Sequence, residues 1–198
     1  MSRPPGSAKY ARPERERRWL LSSPPAGAGD PVRIEDRYLD GTRLRLRRVT
    51  GAGPVVCKLG QKVPAAEDDP SLVWHTTLYL TEQEYRRLAV LPAAVLVKLR
   101  RPVAHGGLVF AVDEFAGALH GLVLAETELP VADLPGAAPG TAGTGAEPLE
   151  LPPWLGAEVT SDERYTGAAL ARHGRPAGGP SDGGPADRGP AGGPASGG

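Results

Sequence analysis

The strongest constraint on how this chain folds is charge placed at every second residue of several short segments. These are Glu14-Arg15-Glu16-Arg17-Arg18, Arg43-Leu44-Arg45-Leu46-Arg47, Lys98-Leu99-Arg100 and Glu126-Thr127-Glu128. Side chains on a β-strand alternate between faces, so same-parity charges in each segment point the same way, and in a closed sheet that way can be inward. An interior lined with both carboxylates and guanidinium groups is costly unless it holds ligands. Acids facing a divalent metal and bases facing a polyphosphate are the natural pair.

Strand-like segments with turn signals at short intervals fill most of the chain. Glu14–Leu21, Val32–Leu39, Arg43–Val49 and Val55–Lys62 are separated by Pro- and Gly-bearing breaks such as Asp40-Gly41 and Gly51-Ala52-Gly53-Pro54. Such spacing predicts antiparallel hairpins rather than strand–helix–strand crossovers. Trp74–Leu80, Ala94–Arg101, Leu108–Phe115 and Leu122–Leu129 complete eight strands, with His105-Gly106-Gly107 marking one more hairpin. Thr81 and Glu84 form a capping box that opens a helix ended by Pro92, and a second helix is expected from Ser161 or Asp162 through Tyr165 and Leu170 to Gly174. The predicted class is mainly β with a few helices (α+β): a closed eight-stranded antiparallel β-barrel, or tunnel, with a mid-domain helix and a C-terminal helix.

At 198 residues, the chain has the size of one domain. Residues 1–8 read as a flexible N-terminus and 9–173 as the tunnel domain. Residues 130–150, rich in Pro, Gly, Ala and Thr, read as a flexible insertion, and 174–198 as a disordered tail, because neither offers an apolar period to offset its ordering entropy.

The formal net charge is zero and aromatic residues are 5% of the chain, which argues against a nucleic-acid platform. The longest apolar stretch, Leu88–Leu99, is short and contains Pro92 and Lys98, so no membrane span is expected, and the N-terminus lacks the apolar run of a leader. Cys57 is the single cysteine, which excludes an intramolecular disulfide framework and makes the cytoplasm the expected compartment. A monomer or a homodimer fits the chain equally.

Several residues carry the candidate chemistry. Glu14 and Glu16 lie two strand rises apart, about 7 Å, so each is positioned to give one oxygen to a shared ligand only if the strand twists or water bridges. Taken alone, such a pair also fits a wetted sheet face, as does Glu126 with Glu128. Arg43, Arg45 and Arg47 form a basic row; Lys58, Lys62, Lys98 and Arg100 lie on other strands. Arginine suits phosphate through its planar fork and lysine through its compact charge. A row of cations also protects an edge strand against aggregation. Asp113, between Val112 and Glu114-Phe115, is a further oxygen donor, whereas a lone His75 fits a structural role. No phosphate-binding glycine loop, nucleophile elbow or activated thiol is present.

In this order and spacing, the residues resemble the CYTH superfamily, the triphosphate tunnel metalloenzymes, and in particular its small bacterial triphosphatase-like members. Glu14-Arg15-Glu16-Arg17-Arg18 is similar to the family's opening Glu-x-Glu-x-Lys signature, with Arg18 where lysine is usual. Tyr38-Leu39, then Leu44-Arg45-Leu46-Arg47, is similar to its next pattern. Phe110–Phe115, Leu124–Glu128, Pro153–Thr160 and Asp162–Tyr165 follow in the family's order, so the resemblance runs from about residue 9 to residue 173.

The resemblance implies a tunnel that binds a triphosphate-containing small molecule on its basic wall and Mg²⁺ or Mn²⁺ on its acidic wall. By the same resemblance, Glu14, Glu16, Asp113, Glu126 and Glu128 are metal-side acids. Arg18, Arg45, Arg47, Lys98 and Arg100 are phosphate ligands, joined by Lys58 and Lys62, whose register the sequence leaves open. Glu14, Glu16 and Lys98 are the expected catalytic residues.

The implied activity is metal-dependent hydrolysis of inorganic triphosphate or a nucleoside triphosphate. The alternatives are a class IV-type adenylate cyclase and a non-catalytic polyphosphate- or nucleotide-binding module. One departure favours the latter: His75 and Thr77 stand where many triphosphatases carry an acidic pair. A second departure is Thr166, which stands where a lysine is expected.

Overall fold

Alternation of charged and apolar residues along each strand builds a barrel whose polar face is turned inward. The fold is that of a computed structural model, described over residues 10–66, 69–131 and 150–178. The expectations for residues 1–8, for most of the 130–150 insertion and for the tail beyond residue 178 lie outside the described residues. Eight strands, β1 (Arg12–Leu21), β2 (Val32–Leu39), β3 (Leu44–Thr50), β4 (Val56–Pro64), β5 (Leu72–Leu80), β6 (Ala93–His105), β7 (Leu108–Phe115) and β8 (Val123–Leu129), close in the order β1-β5-β4-β3-β2-β6-β7-β8. Every pairing is antiparallel, as the hairpin signals predict.

The outward apolar residues need cover, and two segments supply it. Helix α1 (Glu82–Leu88) follows β5 and is opened by the predicted capping box: Thr81 Oγ1 accepts from the Glu84 amide at 3.2 Å, and Glu84 Oε2 accepts from the Thr81 amide at 2.7 Å. Its buried Tyr85 packs on Leu39, Leu46 and Cys57, residues that alternate with the inward charges of β2, β3 and β4. On the far side, Trp154 and Leu155 cover Trp19, Phe110, Val112 and Ala125, with the Phe110 ring edge-on to Trp154 at 5.3 Å.

A third cluster closes one region of the barrel, where Leu20, Leu96, Phe115 and Leu124 meet Tyr165 and Leu170. Leu170 belongs to helix α2 (Gly167–His173).

Two boundaries differ from expectation. The predicted final helix is broken: a 3-10 turn at Glu163–Tyr165 is separated from α2 by Thr166, which adopts an extended backbone and caps α2 through its hydroxyl. Gly167 follows, where a Cβ would lie 2.0 Å from the Tyr38 hydroxyl, so only glycine admits the approach of α2 to β2. Strand β6 runs four residues further than expected, through Pro102 to His105. Proline is tolerated there because β6 pairs with β2 only as far as Val32–Arg100, so no neighbour on that side needs its missing N–H. Among the described residues no helix is long and apolar enough to cross a membrane.

Phe110 is completely buried between Trp19 and Trp154. Phe110→Ala is expected to cost about 3–5 kcal/mol of folding stability, read from chemical denaturation midpoints.

Candidate functional site

Strand register brings the inward charges into one cavity of about 2070 Å³. The parity expectation meets a direct observation here. Glu14, Glu16 and Arg18 of β1, Arg45 and Arg47 of β3, Lys58 and Lys62 of β4, Lys98 and Arg100 of β6, and Glu126 and Glu128 of β8 all line it. The residues between them point outward, where Arg15 pairs with Asp69 at 2.7 Å and Arg17 with Glu158.

At one wall, Glu14, Glu16 and Glu128 converge, with one oxygen of each within 4.8 Å of the others. Closure of the barrel makes this group, because β1 lies beside β8 with Glu16 opposite Glu128. Lys62 bonds Glu16 and stands 3.3 Å from Glu14 Oε2 without satisfying that oxygen, which is buried and accepts no hydrogen bond. His75 Nδ1 lies 2.7 Å from the other Glu14 oxygen, and its Nε2 lies 3.1 Å from the Thr77 hydroxyl. Burial raises the Glu14 carboxyl, but His75 and Lys62 outweigh it and hold Glu14 below its ordinary value. The Glu128 carboxyl, by contrast, is pushed up by desolvation and by the charges of Glu14 and Glu16. Three carboxylates, one destabilised by the other two and one with an unused buried oxygen, match the all-oxygen donor set of a hard divalent cation.

The other two expected metal-side acids, Asp113 and Glu126, are hydrogen-bonded by cations. Asp113, 1% exposed, is fully occupied: Lys98 Nζ donates at 2.5 Å and Arg100 donates two hydrogen bonds at 2.7 and 2.6 Å. Glu126 accepts from Arg18 and from Arg100, both at 2.9 Å. The register explains both, since Asp113 faces Arg100 across β6–β7 and Glu126 faces Arg18 across β1–β8. These two acids therefore orient cations, while the grouped acids are Glu14, Glu16 and Glu128. Burial raises the Glu126 carboxyl, but Arg18, Lys98 and Arg100 together hold it well below its ordinary value. Burial and Arg100 push the Lys98 ammonium down against Asp113 and Glu126.

Asp36 is the site residue that sequence reasoning missed. It is 1% exposed and accepts two hydrogen bonds from Arg47, at 2.6 and 2.7 Å. Its signal is weak but present: it shares parity with Ile34 and Tyr38, while the neighbouring Glu35 and Arg37 disguise it as part of a solvated run. Arg45 has its Nε buried without a hydrogen bond, in a looser ion pair 3.7 Å from Asp36. Lys58 has its ammonium 5.1 Å from the Tyr79 ring centre and, among the described residues, no carboxylate partner. Arg45 and Lys58 are thus the inner-wall cations with most hydrogen-bonding capacity to spare. Arg43 and the α2 residues Arg172 and His173 add to the basic lining.

No family model matches the chain. Over 79 residues it is 35% identical to an inorganic triphosphatase of Acetivibrio thermocellus, which covers 40% of this chain and 42% of that protein. The chain thus matches less than half the length of this curated relative. Among solved structures, an inorganic triphosphatase aligns with 80% of this chain and 93% of its own at 23% identity and a TM-score of 0.48. An adenylate cyclase candidate from Bacillus halodurans aligns with 60% of this chain and 81% of its own at 16% identity and a TM-score of 0.42. The curated match carries the name of the activity that the resemblance to the CYTH superfamily implies.

Two outcomes follow from the charge arrangement. Asp36 and Glu126 are held below their unfolded values, so their stabilisation is complete above about pH 4.5 and is lost as pH falls through the lower folded values. Asp36→Asn, which leaves Arg47 uncompensated, is expected to cost about 3–5 kcal/mol at pH 7 and to flatten the acid limb of thermal stability, followed by circular dichroism. Glu128 has the opposite sign. Glu128→Gln is expected to raise the melting temperature of the metal-free protein and to shrink the further rise caused by Mg²⁺ or Mn²⁺, both read by calorimetry.

Proposed function

We propose that this chain is a CYTH-superfamily metalloenzyme whose tunnel hydrolyses the terminal phosphoanhydride of a triphosphate-containing substrate. The observation that carries the reading is a single cavity holding a converging acid trio, Glu14, Glu16 and Glu128, together with Arg45 and Lys58, whose donors are not consumed by neighbouring acids. The relative from Acetivibrio thermocellus, named an inorganic triphosphatase, supports the same reaction class.

In this reading Glu14, Glu16 and Glu128 would hold Mg²⁺ or Mn²⁺, which when bound would supply positive charge against the phosphate oxygens. Arg45 and Lys58 bind the phosphate chain directly. Arg18, Arg47, Lys98 and Arg100 contribute from fixed positions, because Glu126, Asp36 and Asp113 hold their side chains in place before substrate arrives. Water attacks the terminal phosphorus and the anhydride P–O bond breaks. Its electrons leave on the diphosphate portion, and the water's proton passes to a cavity carboxylate or to solvent. Lys98, buried beside Asp113 and above the Phe115 ring at 5.5 Å, stabilises negative charge at the inner end of the chain. The cytoplasm is the compartment this reading assigns.

A binding-only module is the second reading, and His75 favours it. Its ring and Thr77 occupy the wall where further acids would complete a stronger metal site.

Phosphate release from inorganic triphosphate and ATP, with Mg²⁺ or Mn²⁺, separates the two. Hydrolysis is expected, with loss of about a hundredfold or more in the Glu14→Ala, Glu16→Ala double variant. Tight triphosphate binding without release selects the binding module, and cyclic AMP with pyrophosphate from ATP selects the cyclase.

A further inference from the structure

The cavity exceeds what a bare phosphate chain fills, since its 2070 Å³ stands above the roughly 300–1,000 Å³ of ordinary small-molecule pockets. Along its wall, β5 presents His75, Thr77 and Tyr79 at the same parity. Tyr79 is the outermost of these, the last cavity-facing residue before α1. It is 73% exposed and belongs to none of the three apolar clusters. Its cross-strand neighbour is Lys58, whose ammonium lies 5.1 Å from the ring centre. A large aromatic side chain left open on a cavity wall, beside a cation with no carboxylate partner among the described residues, has the makeup of a platform for a flat organic group attached to phosphate.

We propose that Tyr79 is a specificity-determining residue: its ring stacks on the base of a nucleoside triphosphate whose phosphate chain runs past Lys58 toward Arg45. The inference rests on the triphosphate-binding reading and extends it to the organic part of the substrate. Every nucleobase offers a π-face, so the platform accepts purines and pyrimidines alike. Lys58 has two roles here, holding the ring by cation–π attraction and meeting the phosphate charge. Inorganic triphosphate reaches the same basic wall without using the ring.

The test compares ATP, CTP and inorganic triphosphate in wild type, Tyr79→Ala and Tyr79→Phe, with kcat and KM for release and calorimetric Kd for binding. Tyr79→Ala is expected to weaken kcat/KM and Kd for ATP and CTP by about tenfold, mainly through KM, with inorganic triphosphate changed less than threefold. Tyr79→Phe keeps the stacking face and is expected to stay within threefold of wild type on all three. An equal loss on all three ligands, or no loss on ATP and CTP, overturns the inference. Wild type that binds inorganic triphosphate but neither nucleotide also overturns it, and leaves the triphosphate reading standing. Failure to bind any of the three ligands overturns that reading as well, and near-identical far-ultraviolet spectra of the variants exclude misfolding as the cause.

Discussion

Neutralisation between neighbouring strands is the interaction on which the rest of this structure depends. Taking a carboxylate or a guanidinium out of water costs several kcal/mol, and the attraction of a partner offsets this only when geometry and hydrogen bonds are good. The barrel meets that condition by register: Arg47 lies opposite Asp36, Arg100 opposite Asp113, and Arg18 opposite Glu126. Each cross-strand contact fixes a cation in a defined direction, so the interior is pre-arranged as well as tolerated.

The stability of such a barrel comes from outside its own lumen. Leu46 between Arg45 and Arg47 faces α1, and Trp19 between Arg18 and Leu20 faces the 154–155 segment, so the residues that alternate with the charges form the apolar clusters. Leu20, Leu96, Phe115 and Leu124 take the inward parity only where Tyr165 and Leu170 close over them. The hydrophobic effect is thus displaced to the exterior and to one closed region, leaving the rest of the interior free for charge.

Two populations of charge result. Asp36, Asp113 and Glu126 are paired, and their partners are oriented. Glu14, Glu16 and Glu128 crowd one another, and Arg45 and Lys58 keep donors in reserve. The crowded acids and the spare donors stand where a ligand's charge would relieve them, while the fully paired groups form a frame around them.

Much of this was legible in the sequence, because the period of a strand is local. The eight strands, the Thr81–Glu84 cap and the inward parity of Glu16, Arg45, Lys98 and Glu128 all follow from neighbours along the chain. The broken helix at Thr166 does not, since it depends on Gly167 meeting Tyr38, over a hundred residues away. Nor does the division of the acids: periodicity assigns Asp113 and Glu128 to the same inner face, yet Asp113 is taken by Lys98 and Arg100 while Glu128 joins Glu14 and Glu16. Amino-acid order determined which side chains look inward. Closure of β1 against β5 and β8 decided which of them meet, because distances across a barrel are set by long-range register that no short window of residues contains.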